Sequence, residues 1–507
     1  MEFYYILFGY LLFCFIIAKT VKKFQPNNNS KLPLPPGPVP FPIIGNGHLL
    51  SGGQTHVILK DLAAKHGPLM HLKIGEVSTI IVSSPEIASH IFKTHDIVFA
   101  DRPSNLLAFK IASYNFLDMV GCPYGNYWRK LRKICMTELL SIKRVQSFRS
   151  VREEEVLNLV KSIFLKSGSV INVTKMIFSS TFGITAVSAF GKRNKYQEEF
   201  IRLEDELTKA ASEFCIADMF PSLKFLGFIS LLRYKVQKIH EQMDEIAENI
   251  LNEHKENYIK GNIGEQKEDL VDVLLNIQRR GDFETPFTDR SIKALIFDIF
   301  SAGAESSSST MEWAMSEMIK NPRIMKRAQK EVREVYNKEG NVDESKLHEL
   351  KYLQAIIKET LRLHPSVPLL IPRESREECE IKGYRIPAKC RVLVNGWAIG
   401  RDPEYWIEPE KFNPDRFLES QIDFKGNWFE FIPFGGGRRI CPGISFAWAN
   451  IQLLLAQFLF HFDWKLPGQI DPEELDMTES MGMTVKRKEE LYLIPFPFSS
   501  SCLKSVD

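Results

Sequence analysis

The chain has 507 residues, 44% hydrophobic and 25% charged, an ordinary globular composition with ample material for a core. Its 65 Lys and Arg against 63 Asp and Glu leave a net charge of +2, so nothing in the charge balance points to nucleic acid. The eight cysteines (Cys14, Cys122, Cys135, Cys215, Cys379, Cys390, Cys441 and Cys502) show no C-x-x-C spacing, which argues against a disulfide framework and for reduced thiols facing the cytosol.

Phe3 to Ala18 is almost wholly apolar and aromatic, and Lys19, Lys22 and Lys23 follow the run. Lys19 can snorkel, which extends the apolar stretch through Val21. A cleaved secretory signal, the alternative, usually carries its cations ahead of the run. The order here predicts an uncleaved anchor over 1–23, with the N-terminus in the lumen and the bulk in the cytosol. Leu32-Pro33-Leu34-Pro35-Pro36-Gly37-Pro38 and then Pro40, Pro42 and Gly45 repeatedly fix φ, so 24–46 reads as a semi-rigid spacer. The rest, 47–507, has no internal repeat, low-complexity tract or linker. Asn172-Val173-Thr174 is a glycosylation sequon, expected to stay unmodified in a cytosolic domain. Phe220 to Leu232 is apolar with scattered cations, and reads either as a second membrane-touching element or as a loop packed on the core.

Ser291 to Lys320 has helical spacing of apolar residues at Ile292, Leu295, Ile296, Ile299 and Phe300. In its middle, Ala302-Gly303-Ala304-Glu305-Ser306-Ser307 places a glycine that can mark a local opening of the helix. Lys351 to His364 is a second amphipathic helix, with Glu359 and Arg362 on one face and able to pair. Such pairs are common, and alone they say little. Last comes Pro433-Phe434-Gly435-Gly436-Gly437-Arg438-Arg439-Ile440-Cys441-Pro442-Gly443, followed by the apolar run Ile444 to Phe460. A metal-ligating thiolate needs nearby N–H groups and positive charge. Glycines let the backbone close on sulfur, and the next helix brings its positive end. A buried structural cysteine is the commoner fate of the residue type.

The whole pattern is more specific than its parts. Phe434, Gly437, Arg439, Cys441 and Gly443 match Phe-x-x-Gly-x-Arg-x-Cys-x-Gly, after Trp128-x-x-x-Arg132, Glu305-Ser306, Glu359-x-x-Arg362 and Phe412-Asn413-Pro414-Asp415-Arg416-Phe417 in that order. From the N-terminal run to at least Thr484 the chain resembles the plant microsomal cytochrome P-450 haem-thiolate monooxygenases. Ala100 to Asn105, Pro123 to Trp128 and Met477 to Ser480 look like plant members, closest to the alkaloid-modifying tabersonine 16-hydroxylase type.

The resemblance implies a mostly α fold with a small β subdomain, one catalytic domain over 47–507, and haem b with Cys441 as its thiolate ligand. It assigns Trp128, Arg132, Arg373 and Arg439 to the propionates and Phe434 to the cofactor loop. Glu359, Arg362 and Arg416 would lock together behind the haem, serving fold and haem retention. A small residue of the Ala302-Gly303-Ala304 stretch would leave room for O2, and Glu305 with Ser306 would organise proton delivery. Most relatives have threonine at the Ser306 position; serine keeps the hydroxyl and loses the methyl that restricts χ1.

No dinucleotide or flavin fingerprint is present, so NADPH electrons are expected through a separate cytochrome P-450 reductase, docked on a basic face with Lys130, Lys133 and Arg438. The implied setting is the endoplasmic reticulum membrane, single-pass, with the catalytic domain cytosolic. The implied reaction hydroxylates or epoxidises a lipophilic metabolite, a monoterpenoid indole alkaloid first, a terpene or phenolic otherwise. A redox-neutral isomerase or dehydratase is the rival enzyme class, and retention of Glu305 and Ser306 argues against it. A non-catalytic haem sensor is the other rival. By position, Leu107, Phe109, Tyr114, Phe297, Phe300, Ala302, Val367, Leu369, Met481 and Met483 line an apolar pocket. Tyr114, Asn115 and Asp118 are its expected polar contacts, with Asp118 facing a protonated amine.

Overall fold

The computed structural model describes residues 32–498 apart from 192–195, 212–214, 261–267, 282–285, 338–339, 469 and 481, and without the side chains of 224, 226, 228 and 229. The anchor expected over 1–23 and the pocket residue Met481 lie outside the described residues.

The principal helices are α1 (Thr55–His66), α2 (Asn126–Ile134), α3 (Arg149–Phe164), α4 (Val173–Phe190), α5 (Gln197–Ala211), α6 (Leu231–Ile259), α7 (Leu270–Arg280), α8 (Asp289–Lys320), α9 (Pro322–Val335), α10 (Lys351–Leu363) and α11 (Ile444–His461). The strands are few and short. β1 (Leu69–Ile74), β2 (Val77–Val82), β7 (Arg391–Val394) and β4 (Arg373–Glu374) form one sheet in that order. β3 (Ile171–Asn172), β9 (Tyr492–Pro497) and β8 (Phe462–Lys465) form a second, and β5 (Cys379–Ile381) pairs with β6 (Tyr384–Ile386). The fold is therefore mostly α with a small β part.

α8 is the central beam. It begins where Thr288 and Ser291 cap each other reciprocally, and ends at Asn321, with Pro322 opening α9. It packs along α4 and α11. Almost every residue from Ile292 to Ile319 is buried, so its periodicity is that of a helix enclosed on all sides. Gly303 does not break it: the helix is continuous from Asp289 to Lys320, and a Cβ at Gly303 would meet Thr185 at 3.6 Å, ordinary contact. The expected opening is therefore not a break in the helical ladder. α4 and α11 are apolar enough to cross a bilayer, yet 67% and 78% of their windows are buried, which makes them core helices.

The proline-rich segment packs where it is described. Pro35 is buried, Pro36 accepts the His71 N–H at 2.9 Å and Pro33 accepts the Arg385 N–H at 2.8 Å. Asn46 Oδ1 accepts the Lys73 N–H at 2.8 Å, tying the segment to β1. The sequon residues are structural: Asn172 caps α4 through the Lys175 N–H at 2.9 Å, and Thr174 Oγ1 accepts the Leu491 N–H at 2.7 Å. The six described cysteines are free thiols.

Candidate functional site

The Cys441 loop is held in shape by backbone demands. Gly437 has φ +65°, and a Cβ there would lie 2.6 Å from the Phe92 carbonyl oxygen, so only glycine fits. The Cys441 N–H donates to the Phe434 carbonyl at 3.0 Å, closing the loop over its own apex. Phe434 packs edge-on against Phe424, with ring centroids 5.1 Å apart. The Cys441 thiol is pushed up by burial, opposed by the Gly443 N–H and by the charge of Arg132. Those two groups would stabilise a thiolate.

Sequence reasoning gave Asp96 no role. Its carboxylate accepts the Arg438 N–H at 3.2 Å, pairs with Arg438 Nε at 3.0 Å, and lies 3.7 Å from Arg373. Burial raises Asp96 above the usual carboxylate range, and these partners oppose that shift.

Beside the loop, Arg102, Arg373 and Arg439 are all buried. Their hydrogen bonds go to backbone carbonyls: Arg439 to Ala100 at 2.8 Å and Met119 at 3.2 Å, Arg373 to Gly436 at 2.7 Å, Arg102 to Ile371 at 2.8 Å and Val120 at 3.0 Å. Burial, only partly offset by Asp96 for Arg373 and by Cys122 and Asp101 for Arg439, brings Arg373 down to about 9 and Arg439 to about 10. Arg102 is lowered well below its usual value by burial and then by the other two cations. Arg132 on α2 is half-buried and makes no hydrogen bond or ion pair among the described residues. Trp128 is committed elsewhere: its indole N–H donates to the Met119 carbonyl at 3.1 Å and its ring carries the Arg439 guanidinium 4.4 Å above it. Sequence reasoning had Trp128 donating to a propionate, and had missed Arg102.

On α8 the exposure pattern changes abruptly. In a helix otherwise enclosed, Ala302 is exposed and Ser301, Gly303 and Ser306 are half-buried. Ser306 donates its hydroxyl to the Ala302 carbonyl at 2.7 Å, one turn back. The Ser306 carbonyl in turn accepts from Thr310 at 2.9 Å and Ser366 at 3.1 Å. Glu305 is buried; its Oε1 accepts from Lys486 Nζ at 2.7 Å and Thr484 Oγ1 at 2.9 Å.

Glu359, Arg362 and Arg416 come together. Arg362 donates to both Glu359 oxygens at 2.8 and 2.9 Å, and Arg416 to Glu359 Oε1 at 3.0 Å. Arg362 also satisfies the carbonyls of Gly400 at 2.6 Å and Pro409 at 2.7 Å.

The expected pocket residues divide. Leu107 and Phe109 lie on the short helix Leu107–Ala112, with Phe109 6.3 Å from the Phe116 ring. Val367 and Leu369 are half-buried, Phe297 is buried against Tyr114 at 5.7 Å, and Met483 is exposed in the loop that carries Thr484. Phe300 is a core residue: its ring packs on Phe182 at 4.3 Å, Phe200 at 4.7 Å and Phe190 at 5.2 Å. Tyr114 is buried, with its hydroxyl donated to Asp244 Oδ1 at 2.5 Å, and is not free for a ligand. Tyr114, Asn115 and Phe116 have φ of 52°, 64° and 66°, three consecutive left-handed residues. Asp118 is 2% exposed; it accepts the Gly121 N–H at 2.9 Å and hydrogen-bonds Asp298, so it does not face an amine. Burial lifts Asp118 to about 6, opposed by those hydrogen bonds and by Arg439.

These observations make a consistent fit for a haem with two propionates. A sulfur with N–H and cationic support, exposed small residues in an otherwise enclosed helix, and three buried arginines beside the loop suit an anionic group that carries a metal. A groove of about 1070 Å3 lined by Met318, Met325, Arg333, Phe460, Trp464 and Phe498 shares none of these residues.

The sequence matches the Cytochrome P450 family over residues 35–494. It is 68% identical to tabersonine 16-hydroxylase 1 and 65% identical to tabersonine 16-hydroxylase 2 of Catharanthus roseus, covering 99% of each chain in both cases. It is 61% identical over 100% of both chains to tabersonine 6,7-epoxidase isoform 1 of the same plant. A zebra fish cytochrome P450 structure with progesterone superposes with TM-score 0.76 at 23% identity, covering 88% of this chain and 100% of that one. The chain belongs to the cytochrome P450 family of haem-thiolate monooxygenases, and its sequence is similar to the plant tabersonine hydroxylases.

Proposed function

We propose that this enzyme inserts one atom of O2 into a tabersonine-like alkaloid, held in the apolar space bounded by Leu107, Phe109, Phe297, Val367 and Leu369, with electrons from NADPH delivered by a separate reductase. The observation that carries the reading is 68% identity over essentially the whole length to a tabersonine 16-hydroxylase. Hydroxylation is the favoured outcome, because two relatives named for 16-hydroxylation are 68% and 65% identical. Epoxidation is the second reading, because a relative named for 6,7-epoxidation is 61% identical.

Cys441 is the candidate iron ligand, and Arg102, Arg132, Arg373 and Arg439 are the candidate propionate partners. When bound, the haem would supply O2 activation, with electron donation from the thiolate favouring O–O cleavage. The chain's own residues do the rest. Ala302 leaves space, Ser306 holds a hydroxyl at the Ala302 carbonyl where the α8 wall is open, and Glu305 stands next in line to pass protons. The apolar wall orients a lipophilic polycycle and excludes water.

Two surfaces support the cellular reading. Val39 (85% exposed), Phe41, Ile43 and Ile44 on one segment, and Leu223, Phe225 and Leu231 (87%) on another, are exposed apolar residues. Both segments flank the β1–β2 turn, where Gly75 N–H donates to the Ile44 carbonyl at 3.1 Å and Glu76 N–H to the Met219 carbonyl at 2.8 Å. An apolar patch beside the start of the described chain fits a membrane-facing side for an endoplasmic reticulum anchor at 1–23. Exposed Arg129, Lys133 and Arg438 near the Cys441 loop fit an acidic reductase.

Microsomes carrying the protein with a reductase, given tabersonine and a panel of terpenes, should yield a product one oxygen heavier from tabersonine, dependent on NADPH. Product from terpenes alone would overturn the substrate assignment. Cys441→His should abolish the red-shifted Soret band of the reduced carbon monoxide complex; persistence of that band would overturn the ligand assignment.

A further inference from the structure

Glu204 lies on α5, one turn after Phe200, and faces α8 one turn after Phe297. Phe200 packs on Phe297 at 5.8 Å and on Phe300 at 4.7 Å, which sets the register of the two helices. The next rung brings Glu204 opposite Ser301 and Glu305. Glu204 is 8% exposed, and its Oε2 is buried with no hydrogen-bond partner among the described residues. A carboxylate in that position has no cation of its own: Lys486 is taken by Glu305 at 2.7 Å. Burying an unpaired charge is costly, so a group so placed carries a proton.

Burial and then the Glu305 charge raise Glu204 to about 7, with the Ser301 hydroxyl and Lys486 opposing and Asp205 adding to the rise. These are the charged and titratable groups that face it from α5, α8 and the loop after Thr484. The Lys486 side chain is 30% exposed, so this cluster reaches water on one side and Ser306, the residue next to Glu305, on the other.

We propose that Glu204 is a positioning residue that loads protons for Glu305, as the second carboxyl of a two-carboxyl relay serving Ser306. In each transfer the proton leaves the Glu204 carboxyl, joins the Glu305 carboxylate, and is replaced on Glu204 from water at the Lys486 side; no electrons move. The inference rests on the role of Glu305 and Ser306 proposed above.

The first test needs no substrate. Infrared difference spectra of the purified holoenzyme, recorded across a pH step through neutrality, should show carboxylic acid intensity that titrates in wild type, falls by the share of one carboxyl in Glu204→Gln and returns in Glu204→Asp. Ser301→Ala, which leaves Glu204 in place, should move that titration to higher pH. The second test uses any substrate the enzyme turns over. Glu204→Gln should raise peroxide released per NADPH several-fold and increase the solvent isotope effect on product formation, with Glu204→Asp close to wild type. The reduced carbon monoxide spectrum checks that each variant keeps its haem site. Carboxyl intensity titrating near neutrality that is the same in Glu204→Gln as in wild type, or peroxide and isotope effects unchanged in a variant with a normal Soret band, would overturn the proposal. A wild type that oxidises a terpene and not tabersonine would remove the substrate reading and leave both tests of Glu204 valid.

Discussion

Asp298 holds Met119: its Oδ2 accepts the Met119 N–H at 2.7 Å, and the next amide, Val120, at 3.2 Å. The central helix thereby grips the loop that carries Tyr114 and Asp118. Arg439 reads the same place from below, through the Met119 carbonyl at 3.2 Å. A side chain on α8, a cysteine-loop arginine and the pocket loop meet at one peptide unit.

Asp298→Ala should leave the Met119 and Val120 N–H groups, on a buried and a half-buried residue, without this acceptor, each worth about 1–3 kcal/mol. The expected result is a lower thermal midpoint together with weaker substrate binding, read by spectral titration of the holoenzyme. Asp298→Asn keeps one acceptor oxygen and should fall between. Unchanged stability and affinity in the alanine variant would show that the loop is held by other contacts.

Glu359 and Arg362 are both fully buried, and Arg416 shares the Glu359 carboxylate at 3.0 Å. Removing one member of such a set strands a charge, which costs roughly 3–5 kcal/mol. Glu359→Ala is expected to express poorly and retain little haem, measured as haem per polypeptide. Near-normal haem content would contradict the structural role.

Ser306 donates to the Ala302 carbonyl through a side chain free to rotate about χ1. Ser306→Thr adds the restricting methyl and should reduce peroxide released per NADPH without abolishing product. Equal peroxide in both enzymes would remove the idea that the serine loosens coupling.

Glu479 ties together distant parts of the chain. Its carboxylate meets His56 Nε2 at 2.8 Å, Trp397 Nε1 at 3.3 Å and His364 Nδ1 at 3.9 Å. Burial raises it, but the hydrogen bonds and charges of His364 and His56 outweigh that and hold Glu479 at about 2. A carboxyl depressed in the folded state stabilises the fold above its unfolded value near 4.3, and that contribution is lost as pH falls toward about 2. Glu479→Gln should therefore be less stable than wild type at neutral pH, by on the order of 2 kcal/mol, with the gap closing in acid. Denaturant midpoints measured from pH 7 to pH 3 would show it, and a gap independent of pH would count against it.

Much of the fold and the Cys441 loop was legible because their signals are local. A glycine that must adopt positive φ, a helix with Glu and Arg three apart, and the Ser291 to Lys320 periodicity are all written in short windows. What escaped is written across the chain. Asp96, Arg102, Asp298 and Glu204 look like surface charges in sequence, and only tertiary packing sets them against Arg438, Arg439, Met119 and Glu305. Helical spacing places Phe297 and Phe300 near the same face, but cannot tell that one packs on Tyr114 while the other fills the aromatic core with Phe182. Tyr114 and Asp118 carry polar atoms suited to a ligand, but the Tyr114 hydroxyl is given to Asp244 and Asp118 is enclosed against the Gly121 N–H.

The run of three left-handed residues, Tyr114 to Phe116, has an evolutionary corollary. Each such non-glycine residue costs of order 1–2 kcal/mol, and the Asp244 and Asp298 hydrogen bonds hold the stretch in place. Valine, isoleucine or threonine there would be strongly disfavoured whatever the ligand. Duplicated genes drifting toward new substrates would therefore be expected to vary first at Leu107, Phe109 and Val367, whose backbones are under no such restraint.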